Sequence, residues 1–170
     1  MQKYQKYIYA FLSVVCILPM LLLAGCGKEE VPQGKPIVIS YINTQKTKIV
    51  EEEVFLKKER LSEQLDEVLT YLKTPSSKME YYAPLSQEIE IISKSVIGGH
   101  LTINFSEEYK QLDAATEILT RVSLVRSLTQ IEGIHKVTFY VRGEQLKDQL
   151  GKKIGPMTAT MFIGTVQNNQ

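Results

Sequence analysis

Cysteine and histidine are nearly missing from this chain, which holds two of each among its 170 residues. Neither C-x-x-C nor H-x-x-x-H spacing occurs, so the usual zinc ligand sets are excluded. A glycine-rich phosphate loop is also lacking, because Gly98-Gly99 is accounted for by a hairpin turn. The hydroxyls of Ser76 and Ser77 stand beside the amine of Lys78, but no nucleophile elbow or oxyanion motif surrounds them. Charge of one sign is not in excess either. Lys and Arg number 20 against 19 Asp and Glu, a net of +1, without the basic stripe that a nucleic-acid partner would need. Composition therefore points away from catalysis, metals, cofactors and small-molecule substrates, and toward a binding or scaffold domain.

What is present begins at the N-terminus. Lys3 and Lys6 precede an uncharged apolar run from Ile8 to Ala24, and no acidic residue comes before Glu29. A basic start, an apolar stretch and small residues are the layout of a secretory signal. Leu23-Ala24-Gly25-Cys26 is similar to the lipobox of bacterial lipoprotein signals. Small Ala and Gly admit a peptidase to the backbone, and the Cys26 thiol takes a diacylglycerol. The competing reading, a transmembrane anchor, has a run at the short end of the spanning range, about 17–25 residues. Residues 1–25 are thus expected to be a signal peptide and Cys26 the lipidation site. The body would then be held at the outer, extracytoplasmic face of the cell membrane. Cleavage removes Cys16 with Lys3 and Lys6, leaving a chain without disulfides and with net charge −1.

Residues 26–36 include "GKEEVPQGKP", whose prolines, glycines and charges mark a solvated tether. One domain is expected over residues 37–166, with a polar tail at 167–170. "IVISYIN" is a strand covered on both faces, "TQKT" a turn, and "KIVEEEVFLKK" a returning strand. Consecutive strand residues point to opposite faces, so Glu51, Glu52 and Glu53 cannot converge on a metal. Leu61, Leu65, Val68, Leu69 and Leu72 form one helical stripe, ended by Pro75. "EIEIISKSVIGGHLTINF" is a hairpin with Leu101, Ile103 and Phe105 inward and His100, Thr102 and Asn104 outward. Ser106 is placed to cap a helix carrying Glu107 and Glu108. The main helix follows Asp113, with Ile118, Leu119, Val122, Val125 and Ile131 on its apolar face. Gly133 is expected at its C′ position. "HKVTFYVRG" alternates, with Val137, Phe139 and Val141 inside and Lys136, Thr138, Tyr140 and Arg142 on the outer face. "TATMFIGTV" is expected to add an edge strand. The fold class is α+β: two helices on one face of a mixed, largely antiparallel sheet, in the order β-β-α-β-β-α-β-(β).

Assembled in this order, the pieces resemble the GerMN domain of spore-forming Gram-positive bacteria and their relatives, over about Ile37 to Val141. The resemblance is carried by "VISYIN", by the leucine helix ending at Pro75, and by "YAPLSQEIEIISKSVIGGHLTINFSEEY". "VRSLTQIEGIHKVTFYVRG" looks like the family's second helix, glycine turn and closing strand. The tail "GKKIGPMTATMFIG" is similar to single-domain lipoprotein members. Thr74 departs from a pattern in which Gly often precedes the proline. The resemblance implies an envelope lipoprotein linked to sporulation or spore germination, with a fold akin to ring-building motifs and no catalytic residues to carry over. Its partners would be the membrane, through the lipid on Cys26, and an envelope protein or further copies of itself. A small lipid-anchored enzyme or accessory factor acting on the cell wall is the alternative. A solute-binding lipoprotein would need a two-lobed cleft that one α+β domain lacks.

Overall fold

The computed structural model describes residues 34–76 and 81–162. The signal, Cys26, most of the tether, Ser77, Lys78 and residues 163–170 lie outside the described residues. Strand β1 (Lys35–Asn43) takes in the last two residues assigned to the tether. It pairs antiparallel with β2 (Ile49–Leu56), from Lys35 opposite Leu56 to Ile42 opposite Ile49. The turn between them is built by Asn43, whose side-chain oxygen accepts from the Thr47 and Lys48 amides at 2.9 and 3.0 Å.

Helix α1 (Leu61–Lys73) buries Leu65, Val68, Leu69 and Leu72 of the stripe read from the sequence, with Leu61 at its start half-buried. It stops at Thr74, which is extended (φ −104°, ψ 133°) as a residue before proline prefers. No glycine is needed at that stop, so the departure at Thr74 leaves the helix end in place. A short strand β3 (Tyr81–Tyr82) follows, then the hairpin β4 (Ile91–Ile97) and β5 (His100–Phe105). Gly98 and Gly99 adopt φ of 56° and 75°, which L side chains tolerate poorly. Leu101, Ile103 and Phe105 are completely buried.

After β5 the chain makes a short 3-10 helix (Glu107–Gln111) rather than a full helical turn run. Ser106 does not cap it. Its hydroxyl accepts instead from the Glu90 amide at 2.9 Å, tying the approach to β4 against the end of β5. Helix α2 (Ala114–Leu128) begins at Asp113, whose carboxylate accepts from the Ala115 and Thr116 amides. Strand β6 (Lys136–Val141) then lies parallel to β5, and β7 (Glu144–Gln145) turns back against it.

The order of elements follows the expected α+β pattern, with β3 and β7 as short additions. The strands, however, do not form one sheet. They divide into a three-stranded sheet, β2-β1-β3, and a four-stranded sheet, β4-β5-β6-β7. The reason is at the free edge of β1, where α2 and its C-terminal turn supply side-chain partners. The Ser40 amide donates to Ser127 Oγ at 2.9 Å. The Val38 amide donates to Gln130 Oε1 at 3.0 Å, and Gln130 Nε2 donates back to the Val38 carbonyl at 2.7 Å. Side chains of a helix thus take the place of a neighbouring strand and blunt the edge.

To do this α2 buries two stripes. Val122, Leu124, Val125 and Leu128 are apolar, whereas Thr116, Thr120, Ser123 and Ser127 form a buried hydroxyl row at helical spacing. Ile118, expected inside, is 44% exposed. The helix also ends before the expected glycine stop: Thr129 is its C-cap, and Gly133 (φ 89°) belongs to the next turn, closed by the Ile134 amide on Ile131. Ser127→Ala should leave the buried Ser40 amide without an acceptor, at a cost of about 1–3 kcal/mol. Urea unfolding checks this; a loss within error would mean that the β1 edge does not depend on that bond.

The tail differs from the expected edge strand. Met157 exchanges two backbone hydrogen bonds with Val137, at 2.9 and 2.8 Å, and is followed by a second 3-10 helix (Ala159–Phe162). A single bridge therefore closes this part of the β6 edge from within the chain. Buried side chains of both sheets and both helices join in one core drawn from Ile37 to Met157. One core of its own is what a domain needs to fold alone.

Candidate functional site

The residues with chemical potential are placed apart. His100 contacts Thr138 Oγ1 through Nε2 at 2.8 Å, across the outer face of the four-stranded sheet. His135 is exposed and lies over the hairpin turn, where a Cβ on Gly99 would come within 2.5 Å of its ring. Ser76 Oγ bonds to the Glu52 carboxylate, and Glu51 pairs with Arg126 of α2 at 2.5 Å. Glu53 is exposed opposite Val38, so the three glutamates diverge as alternation requires. Among the described residues no three metal-ligating side chains come together.

Where the surroundings shift a side chain's ionisation, the shift leads away from acid–base work. Burial pushes the Tyr41 phenol up to about 12, and burial beside Glu117 pushes Tyr109 well above the ordinary phenol range. The Ser106 hydroxyl holds the Glu108 carboxyl below its ordinary value. Hydrogen bonds from Thr116 do the same for Asp113. Each shift moves its group away from neutral pH, opposite to the tuning that a general acid or base requires.

What the fold does assemble is a polar sheet face. Cross-strand partners share a face, so Ser93, Asn104, Tyr140 and Gln145 form one row, and Ser95, Thr102 and Thr138 the next. Asn104 Oδ1 accepts from the Gly143 amide at 2.9 Å and fixes the turn that holds Arg142 at φ 52°. Arg142 reaches a basin of about 830 Å³ lined also by Glu88, Glu90, Glu107 and Glu108. Glu88, Glu90 and Glu107 are exposed and Glu108 is half-buried, and the arrangement suits ionic and hydrogen-bonded contact rather than proton transfer. A second, more apolar groove of about 370 Å³ runs between Tyr82, Pro84, Leu85 and Leu112, with Lys46 Nζ 5.9 Å from the Tyr82 ring centre.

Sequence reading placed Tyr140 and Arg142 on the outer side, and the structure brings both to this face. It missed the basin, because Glu88 and Glu90 precede β4 while Arg142 follows β6. Only the parallel β5–β6 pairing brings those segments to one end of the sheet. The edge of β4 is guarded: Lys94, partnered with the buried Ile103, points to the inner side and pairs with Asp66 of α1 at 2.7 Å. An inward charge of this kind discourages strand addition.

Comparison with known proteins follows the same lines. Residues 38–147 match the Germane family, described as sporulation and spore germination. The tandem GerMN domains of the sporulation protein GerM from Bacillus subtilis superimpose with a TM-score of 0.59 at 20% identity, covering 73% of this chain and 46% of that one. The chain therefore spans about half the length of that structure. The first GerMN domain of the same protein superimposes with a TM-score of 0.56 at 20% identity, covering 72% of this chain and 96% of that one. At such identity the likeness speaks for the fold. No curated protein matched the sequence.

Proposed function

From the premise that this chain belongs to the Germane family of sporulation and spore germination proteins, we propose that it is a lipid-anchored, non-catalytic scaffold of the cell envelope. The carrying observation is the family match over residues 38–147 behind a tether that starts at the lipobox-like Leu23-Ala24-Gly25-Cys26. The acyl chains on Cys26 hold the domain at the extracytoplasmic face. The domain then acts by contact with another envelope protein. Two features support contact over chemistry. The shifted phenols and carboxyls among the described residues all move away from neutral pH, and Met157 and β7 pair along the β6 edge from within the chain, leaving the polar face around Tyr140 and Arg142 as the presented surface. Its role belongs to sporulation or germination, the processes of the Germane family.

The experiment is intact mass spectrometry of the protein extracted from membranes of a Gram-positive host. The expected species starts at Cys26 and carries a diacylglycerol; Cys26→Ala should stall processing or release the protein. A chain that keeps residues 1–25 would overturn the anchor. Crosslinking from position 140 in sporulating cells should in turn capture an envelope protein, and a clean negative there would overturn the scaffold role.

A further inference from the structure

After β7 the chain forms a narrow finger between Leu146 and Ile154. The Leu146 amide bonds to the Phe139 carbonyl and the Ile154 amide to the Leu146 carbonyl, while Lys147 bridges Lys153. The tip is rigidly built. Asp148 Oδ1 accepts from the Leu150 and Lys152 amides at 2.9 Å each, the Asp148 amide donates to the Lys152 carbonyl at 2.8 Å, and Gly151 takes φ 77°. This scaffold holds Leu150 93% exposed. Around it stand Lys147, Lys152 and Lys153, all exposed. Among the described residues no carboxylate pairs with these three lysines, and the one carboxylate in the finger is occupied by the turn.

A single exposed leucine is ordinary on a protein surface. Its setting here is not: a fixed turn presents one apolar side chain with the unpaired ammonium groups of Lys147, Lys152 and Lys153 close along the chain. We propose that this finger docks on the anionic surface of a lipid bilayer, with Leu150 entering the headgroup–acyl boundary and the lysines among the phosphates. Long lysine stems allow that division, since their charges stay at the polar level while the stems run beside apolar chains. Extended chain from Cys26 to Gly34 spans at most roughly 27 Å, which keeps a domain with a radius of gyration of about 14 Å beside the bilayer. The domain would then rest on its flank with the polar sheet face oriented, rather than turn freely on its tether.

The proposal takes its setting from the lipid-anchored reading, but its test does not. The unlipidated segment 34–170 can fail to bind vesicles while Cys26 is still acylated, and the reverse can also hold. The segment should sediment with vesicles of mixed phosphatidylglycerol and phosphatidylcholine and not with phosphatidylcholine alone. Lys152→Ser with Lys153→Ser should lower partitioning roughly 25-fold, at about fivefold for each lysine near such a surface. The chain contains no tryptophan, so Leu150→Trp supplies a single reporter whose emission should shift to the blue on adding the anionic vesicles. Absence of binding, binding indifferent to the two serines, or an unshifted emission would overturn the proposal. So would a blue shift that depends on protein concentration without lipid, which would assign the tip to self-association.

Discussion

Phe139→Ala is expected to destabilise the domain by about 3–5 kcal/mol, the range for a fully buried aromatic ring. Phe139 has no exposed surface. Its ring centre lies 5.6 Å from that of Phe105, which stacks on Tyr109 at 4.8 Å. Its backbone also receives the Leu146 amide, so the residue joins β5, the finger and the 3-10 helix in one place. A domain of ordinary stability, about 5–15 kcal/mol, would lose a large part of its reserve. Urea unfolding followed by circular dichroism gives the value. A loss below about 1 kcal/mol would contradict the inward phase of β6.

The second large effect concerns the tail. Deleting residues 157–170 should cost on the order of 4 kcal/mol or more, because it removes a buried methionine and leaves both backbone groups of Val137 without partners. Met157 is only 2% exposed and supplies both bonds. Deleting residues 158–170 keeps that bridge and should cost much less, chiefly the partial packing of Phe162 against the core. Comparing the two truncations isolates the bridge. Equal losses would move the weight of the tail to Ala159–Phe162, and no loss in either would leave β6 indifferent to its edge.

Much of this architecture is legible in the residues because the signals are local. Alternation in β5 and β6 fixed which side chains enter the core, and Gly98-Gly99 marked a hairpin that only positive φ could close tightly. The leucine stripe of α1 likewise stated its own packing face. What escaped was non-local or polar. Counting only apolar residues on α2 overlooked Thr116, Thr120, Ser123 and Ser127; Thr120 donates to the Pro84 carbonyl, and Ser127 is buried because it serves the β1 edge. The division into two sheets follows from that same contact, so periodicity within each strand had no means of announcing it. Gly133 resembled a helix stop by composition, yet Thr129 had already ended the helix. Met157 stood at the margin of an apolar run whose pairing partner lies 20 residues upstream. The polar face was half legible: its alternating positions were read correctly, while the basin at its end required the register of β5 against β6.

The side-chain closure of β1 also sets an order of events for a chain that is folding. Ser40 waits for Ser127, 87 residues later, and Val38 for Gln130, 92 residues later. Until α2 arrives, the hairpin of β1 and β2 has one apolar strand open along most of its side. Unpaired edges of that kind recruit other chains at rates that rise with concentration. Weakening Ser127 or Gln130 should therefore show itself first in yield, as material lost to aggregation during refolding, and only second in the equilibrium stability of molecules that have already closed.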